Sequence, residues 1–166
     1  TQEKGFTLFD IGAIHNQSNK SATGSKEKFH LGLIWYGEPR SHWRKYEVRE
    51  LYRCKGEIVQ LLESVGLSNI SYKVGTEKGF ETSLNIYSGK TQIGNVGMLD
   101  DKVLKQYDIK ENPTVCDLSL HKMRTLWLNR KWEYSPPPAY PSMNRDIALQ
   151  VSHDIPAEDL LFTIQK

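Results

Sequence analysis

The chain has 166 residues, long enough for one domain with a sizeable core, or one domain and part of a second. Its 22 Lys and Arg stand against 20 Asp and Glu, a net charge of +2, which excludes the strongly basic balance of a general nucleic-acid-coating protein. Cys54 and Cys116 have no second cysteine at metal or redox spacing, and no apolar run reaches membrane-spanning length, so a disulfide scaffold, a zinc module and a membrane span are all excluded as expectations. A reducing cytoplasm is the expected compartment. The opening Thr1-Gln2-Glu3-Lys4 has neither the basic nor the apolar region of a signal peptide. The sequence lacks an initiating Met and its final residues read as helix, so the chain is expected to be a piece of a longer polypeptide.

From Phe6 to Ile14 both alternating faces are largely apolar, which predicts an interior strand. Asn16 to Ser25 is polar and reads as a loop, and Phe29, Leu31, Leu33 and Trp35 line one face of a second strand over 29–36. Together they predict a long antiparallel hairpin. Apolar residues at helical spacing between Val48 and Val65 predict the main helix, ended by Gly66 at a left-handed cap position. Gly56 inside it costs about 1 kcal/mol relative to Ala, which predicts a close packing neighbour.

Short strands are expected over 68–74, 81–87 and 92–99, the last two joined by a Ser88-Gly89-Lys90 turn. A short helix over 101–107, a strand over 114–118 and a helix over 120–128 complete the predicted core. This irregular mixture of strands and helices points to α+β, an antiparallel β-sheet with flanking helices, rather than a doubly wound sheet. The four prolines between Ser135 and Pro141 mark a domain boundary, giving a core over 1–134, a linker over 135–141 and a further segment over 142–166. In that last segment Met143, Arg145, Ile147, Leu149 and Val151 alternate with more polar residues and predict a strand. Pro156 then fits the first position of a terminal helix.

Catalytic patterns are sparse. Ser152-His153-Asp154 are adjacent in sequence, so their side chains diverge and cannot relay a proton as a triad does. Cys54 and Cys116 fall on apolar faces and read as core residues, and the five histidines are scattered without ligand spacing. No catalytic residue, bound cofactor or metal site is assigned. The strongest basic cluster is His42, Trp43, Arg44 and Lys45, followed by Arg49 and Arg53. Glu47 and Glu50 interleave with it, so it reads first as a solvated helix face and second as a grip on RNA phosphates and bases. Arg124 and Trp127, with Arg130, Lys131 and Trp132, form a second candidate for RNA or subunit contact.

Leu8-Phe9-Asp10-Ile11-Gly12, Leu31-Gly32-Leu33-Ile34 followed by Trp43, the run from Lys55 to Leu62, and the glycine-punctuated run from Gly89 to Gly97 resemble, in order, landmarks of the phenylalanyl-tRNA synthetase beta subunit. The run from Tyr140 to Leu149 resembles the opening of that family's ferredoxin-fold anticodon-binding domain. Gly79-Phe80-Glu81-Thr82 and Leu99-Asp100-Asp101 depart from the family's loop motifs. The resemblance implies a degenerate class II aminoacyl-tRNA synthetase-like core and a truncated start of the next domain. It also implies a non-catalytic structural and tRNA-binding module, with the alpha subunit and tRNA(Phe) as partners in a heterotetramer. ATP and magnesium would then serve the parent assembly, where alpha attaches phenylalanine to tRNA. In the class II pattern the first hairpin carries an ATP-contacting arginine, yet residues 6–36 contain none. The helix over 120–128 likewise lacks the glycine-rich approach ending in arginine that closes such a site, so the chain is expected to be inactive by itself. The alternative is a free-standing RNA-binding or protein-interaction domain that shares only the architecture.

Overall fold

A computed structural model of the chain describes residues 5–19, 23–37, 50–130, 136, 139–140, 143, 145–152, 155 and 157–164. The chain divides into two compact units, Thr1–Lys131 and Trp132–Lys166. The first contains β1 (Gly5–Gln17), β2 (Ser25–Gly37), α1 (Glu50–Ser64), β3 (Ile70–Gly75), β4 (Phe80–Ser88) and β5 (Thr91–Leu99). It continues through α2 (Asp101–Gln106), β6 (Thr114–Ser119) and α3 (Leu120–Asn129). The strands form one six-stranded antiparallel sheet in the order β1-β2-β6-β5-β4-β3, the α+β architecture expected from the sequence.

The hairpin β1–β2 is longer than its apolar cores suggest. Pairing runs unbroken from Gly5 opposite Gly37 to Gln17 opposite Ser25, and Ser18 N donates to Gly24 O at 2.9 Å across the turn. β1 corrects the interior-strand expectation, because among the described residues it pairs only with β2 and stands at the sheet edge. Phe6, Leu8, Phe9, Ile11 and Ile14 are all exposed, Phe9 to 73%. Alternation reports that both faces are apolar; it contains no information about strand order.

α1 forms because Cys54, Ile58 and Leu62 recur at helical spacing and are buried together against the sheet. Its end is set by Gly66, whose φ of +78° is natural to glycine; Gly66 N donates to Glu63 O at 2.8 Å and Leu67 N to Leu62 O at 2.9 Å. Those two bonds are a Schellman cap, with Leu67 buried behind it. Gly56 departs from expectation. A Cβ there would meet nothing within 4 Å, so no packing neighbour requires the glycine.

α1 and α3 cover the same sheet face, where Leu31, Trp35, Cys116, Leu118, Val96, Ile86 and Met123 form the core with the α1 residues. Trp35 is fully packed, and its Nε1 donates to Glu57 Oε2 on α1 at 2.6 Å. A register shift between Ile86 and Tyr87 of β4 brings Ile93 into the core beside Gly94, a break in alternation that the sequence pattern does not reveal.

In the second unit the described stretch 145–152 is not a strand, contrary to the alternation of its residues. A strand needs a ladder partner to satisfy its backbone, and this stretch has none among the described residues. The terminal helix, α4, spans Ala157–Ile164.

Candidate functional site

The sheet face away from α1 and α3 is organised by register. Asp10 of β1 pairs with Gly32 of β2, Gly32 with Asp117 of β6, Asp117 with Asn95 of β5, Asn95 with Asn85 of β4, and Asn85 with Lys73 of β3. These six residues cross the whole sheet in one row. Directly opposed residues share a face, and the neighbours Leu31, Cys116, Leu118 and Val96 are buried on the other, so the row lies on the side opposite α1 and α3. Gly32 leaves Asp117 unobstructed on its β2 side, and the carboxylate reaches diagonally to His30, whose Nδ1 donates to Oδ1 at 2.8 Å and Oδ2 at 3.0 Å. Asp117 remains 46% exposed in this pair. Asn85 Oδ1 and Asn95 Oδ1 are buried without a hydrogen-bond partner among the described residues. The row therefore carries two carboxylates, Asp10 at its β1 end and Asp117 on β6, and two buried amide oxygens.

Cys116 sits one residue from Asp117 but points into the core. Burial, then the Asp117 carboxylate and Cys54, push its thiol well above the ordinary cysteine range, so it is held protonated. Burial also pushes up the Tyr72 phenol, which donates to Lys55 O at 3.1 Å. Neither group is set up as a nucleophile.

The second sequence candidate lies on α3. Met123 faces the core while His121, Arg124, Trp127 and Leu128 face outward. Trp127 is 45% exposed; the Arg130 guanidinium stands 4.9 Å from its ring centroid, and Arg130 Nη1 donates to Gly66 O at 3.3 Å, tying the end of α3 to the cap of α1. Arg124 belongs instead to a cleft of about 310 Å³ that it lines with Lys26, Lys28, Phe29, Leu120 and His121. The structure thus places Arg124 and Trp127 one turn apart on one helix and brings the start of β2 to the first of them. Sequence reasoning missed this meeting of β2 with α3, which leaves no local signal. The other candidate cluster, His42, Trp43, Arg44 and Lys45, lies outside the described residues, as do Lys131, Trp132, His153 and Asp154.

Trp127→Ala is expected to cost only about 1 kcal/mol, because the half-exposed ring loses a surface cation–π contact and little core packing. A melting midpoint within a few degrees of the parent, by circular dichroism, is the check, and it makes this variant a clean probe of surface function.

Residues 1–120 match the family described as phenylalanyl tRNA synthetase beta chain CLM domain. The chain belongs to that family. Among curated relatives, the phenylalanine–tRNA ligase beta subunit of Carboxydothermus hydrogenoformans is 29% identical over 99% of this chain and 21% of its own length. That of Thermotoga maritima is 30% identical over 89% of this chain and 18% of its own length. The chain therefore spans about a fifth of the length of these relatives. The fold is also similar to that of pyrrolysyl-tRNA synthetase from Desulfitobacterium hafniense, with a TM-score of 0.59 at 14% identity, covering 75% of this chain and 42% of that one. As a synthetase beta-chain CLM segment, the chain bears the Asp10–Lys73 row on the sheet face opposite α1 and α3. No described helix is long and apolar enough to cross a membrane.

Proposed function

We propose that the chain is a non-catalytic structural and tRNA-binding module of a phenylalanyl-tRNA synthetase beta subunit. It supports ATP-dependent attachment of phenylalanine to tRNA(Phe) by the alpha subunit in a cytoplasmic heterotetramer. The observation that carries this reading is the composition of the sheet face opposite α1 and α3. Activating an amino acid brings a triphosphate beside a carboxylate, so a working face needs cations and magnesium aimed at the developing charge. Here the row offers Asp10, Asp117 and two asparagines, with its one lysine at the far edge on β3. Like charge repels the phosphates instead of binding them. ATP and magnesium belong, in this reading, to the parent assembly.

The apolar edge supports the structural half. β1 exposes large apolar side chains on both faces along a strand whose outer backbone groups have no ladder partner among the described residues, a surface suited to packing against more protein. Arg124 and Trp127 on α3, and the cluster His42, Trp43, Arg44 and Lys45, are assigned to contact with RNA or the alpha subunit.

Calorimetric titration of the chain with ATP and magnesium is expected to give no saturable heat. Magnesium-dependent binding at micromolar affinity would overturn the non-catalytic reading. Co-expression of the full-length beta subunit carrying Phe9→Asp and Ile11→Asp with alpha tests the structural half: recovery of the complex is expected to fall, and unchanged recovery would remove β1 from assembly.

A further inference from the structure

The two edges of the sheet are built differently. β3 has six residues, Ile70–Gly75, and carries Lys73, whereas β1 has thirteen, Gly5–Gln17, with no lysine, no proline and no break in register. Short length, lysine, proline and bulges are what keep an open edge from pairing with another chain, and β1 has none of them. The open side of β1 follows residue by residue from its pairing. Ser18 N donates to Gly24 O at 2.9 Å, so 18 and 24 are a hydrogen-bonded pair, and along the unbroken antiparallel register the even positions of β1 bond to β2. Thr7, Phe9, Ile11, Ala13 and His15 therefore turn their N–H and C=O groups outward, where no ladder partner meets them among the described residues. Beside this open ladder Leu8, Phe9, Ile11 and Ile14 are all exposed.

The polarity pattern of β1 reads the same in both directions about Ile11, its middle residue. Leu8, Phe9, Ile11, Ala13 and Ile14 are apolar, and reflection about position 11 exchanges Leu8 with Ile14 and Phe9 with Ala13. A strand of that symmetry complements a second copy of itself about a twofold axis. With Ile11 opposite Ile11 of the second copy, all thirteen residues overlap, Leu8 faces Ile14, and the large Phe9 faces the small Ala13. Asp10, the strand's only acid, then faces Gly12, and the two carboxylates stand diagonally rather than directly opposed. Each neighbouring register that keeps the faces aligned loses two pairs, and one of them sets Asp10 against Asp10. We infer that β1 pairs antiparallel with β1 of a second copy of this chain, joining two six-stranded sheets into one. The inference rests on the structural half of the reading above, naming what covers β1, and is independent of the tRNA half.

The test is sedimentation of the chain over a range of concentrations, with cysteine cross-linking to read the register. The parent is expected to form a dimer that dissociates on dilution. Ile11→Lys sets two ammonium groups against each other on the axis and is expected to weaken the dimer at least about tenfold. Its circular-dichroism melt should stay close to the parent's, because the side chain is exposed in the single chain. In the proposed register Ile11 lies about 5.5 Å from its counterpart, Cα to Cα, within disulfide reach, whereas Leu8 lies roughly 20 Å from its own. With oxidised glutathione, Ile11→Cys is therefore expected to give a disulfide-linked dimer on a non-reducing gel and Leu8→Cys only monomer. The native Cys54 and Cys116 are buried and stay out of the exchange. A chain that sediments as monomer at every concentration, or Leu8→Cys linking as readily as Ile11→Cys, overturns the inference. The co-expression experiment separates it from the reading on which it rests. Reduced recovery with alpha but no Ile11→Cys dimer means that another protein covers β1, and overturns this inference alone. An Ile11→Cys dimer with unchanged recovery supports the pairing and removes β1 from assembly with alpha.

Discussion

Trp35→Ala is expected to destabilise the chain by about 3–5 kcal/mol, the usual range for truncating a buried aromatic. Trp35 is 2% exposed, lies on the covered face of β2 and is paired with Thr7 on one side and Thr114 on the other. Its indole spans the junction of the hairpin, β6 and α1, so its removal opens a cavity where three elements meet. It also strips Glu57 of the Nε1 donor at 2.6 Å. The two losses are separable. Glu57 is 44% exposed and sits 3.8 Å from Arg53, so water can replace the indole donor at modest cost. Trp35→Phe, which keeps a ring but loses the bond, is therefore expected to cost roughly 1–2 kcal/mol. Urea unfolding monitored by circular dichroism reads both. A cost below 1 kcal/mol for Trp35→Ala would mean that the sheet and α1 close over the vacated space.

Gly94→Ala is expected to be nearly as damaging, about 3 kcal/mol or more, although it adds a single methyl group. A Cβ at Gly94 would press on the backbone carbonyl of Asp117 and stand 2.8 Å from Leu118 Cδ2, a fully buried core atom group. Backbone in the β5–β6 ladder cannot swing aside as the end of a flexible side chain can. Relief must come from separating the two strands, next to the irregularity that already turns Ile93 inward. Gly56→Ala is the internal control. Its Cβ enters open space on the exposed side of α1, so the substitution is expected to stabilise by roughly 0.5–1 kcal/mol through helix propensity. Opposite signs from the same chemical change, read in one denaturation series, test the packing around Gly94; a mild effect at Gly94 would place the β5–β6 contact elsewhere.

Much of the architecture was legible because it is encoded locally. Gly66 could be read as the end of α1, since only a residue tolerant of positive φ completes the two cap bonds that follow Leu62 and Glu63. The hairpins β1–β2 and β4–β5 follow from alternation flanking short polar turns. Cys54 and Cys116 could be read as core residues from their apolar faces. The family, too, was legible, from short motifs kept in order along the chain. All of these depend on residues a few positions apart, where chain connectivity does the work.

What the sequence by itself determined was thus the element order, the antiparallel α+β class, the helix cap and the kinship with the synthetase beta chain. Tertiary structure alone decided four things. Among the described residues it put β1 at the edge, left 145–152 without a strand partner, aligned Asp10, Asp117, Asn95 and Asn85 in one row, and set the start of β2 at the same cleft as Arg124. The physical reason is shared. Strand order, register across non-consecutive strands and the meeting of β2 with α3 are set by how the whole core packs. A pattern of apolar and polar residues records which face of an element is buried but not which neighbour buries it.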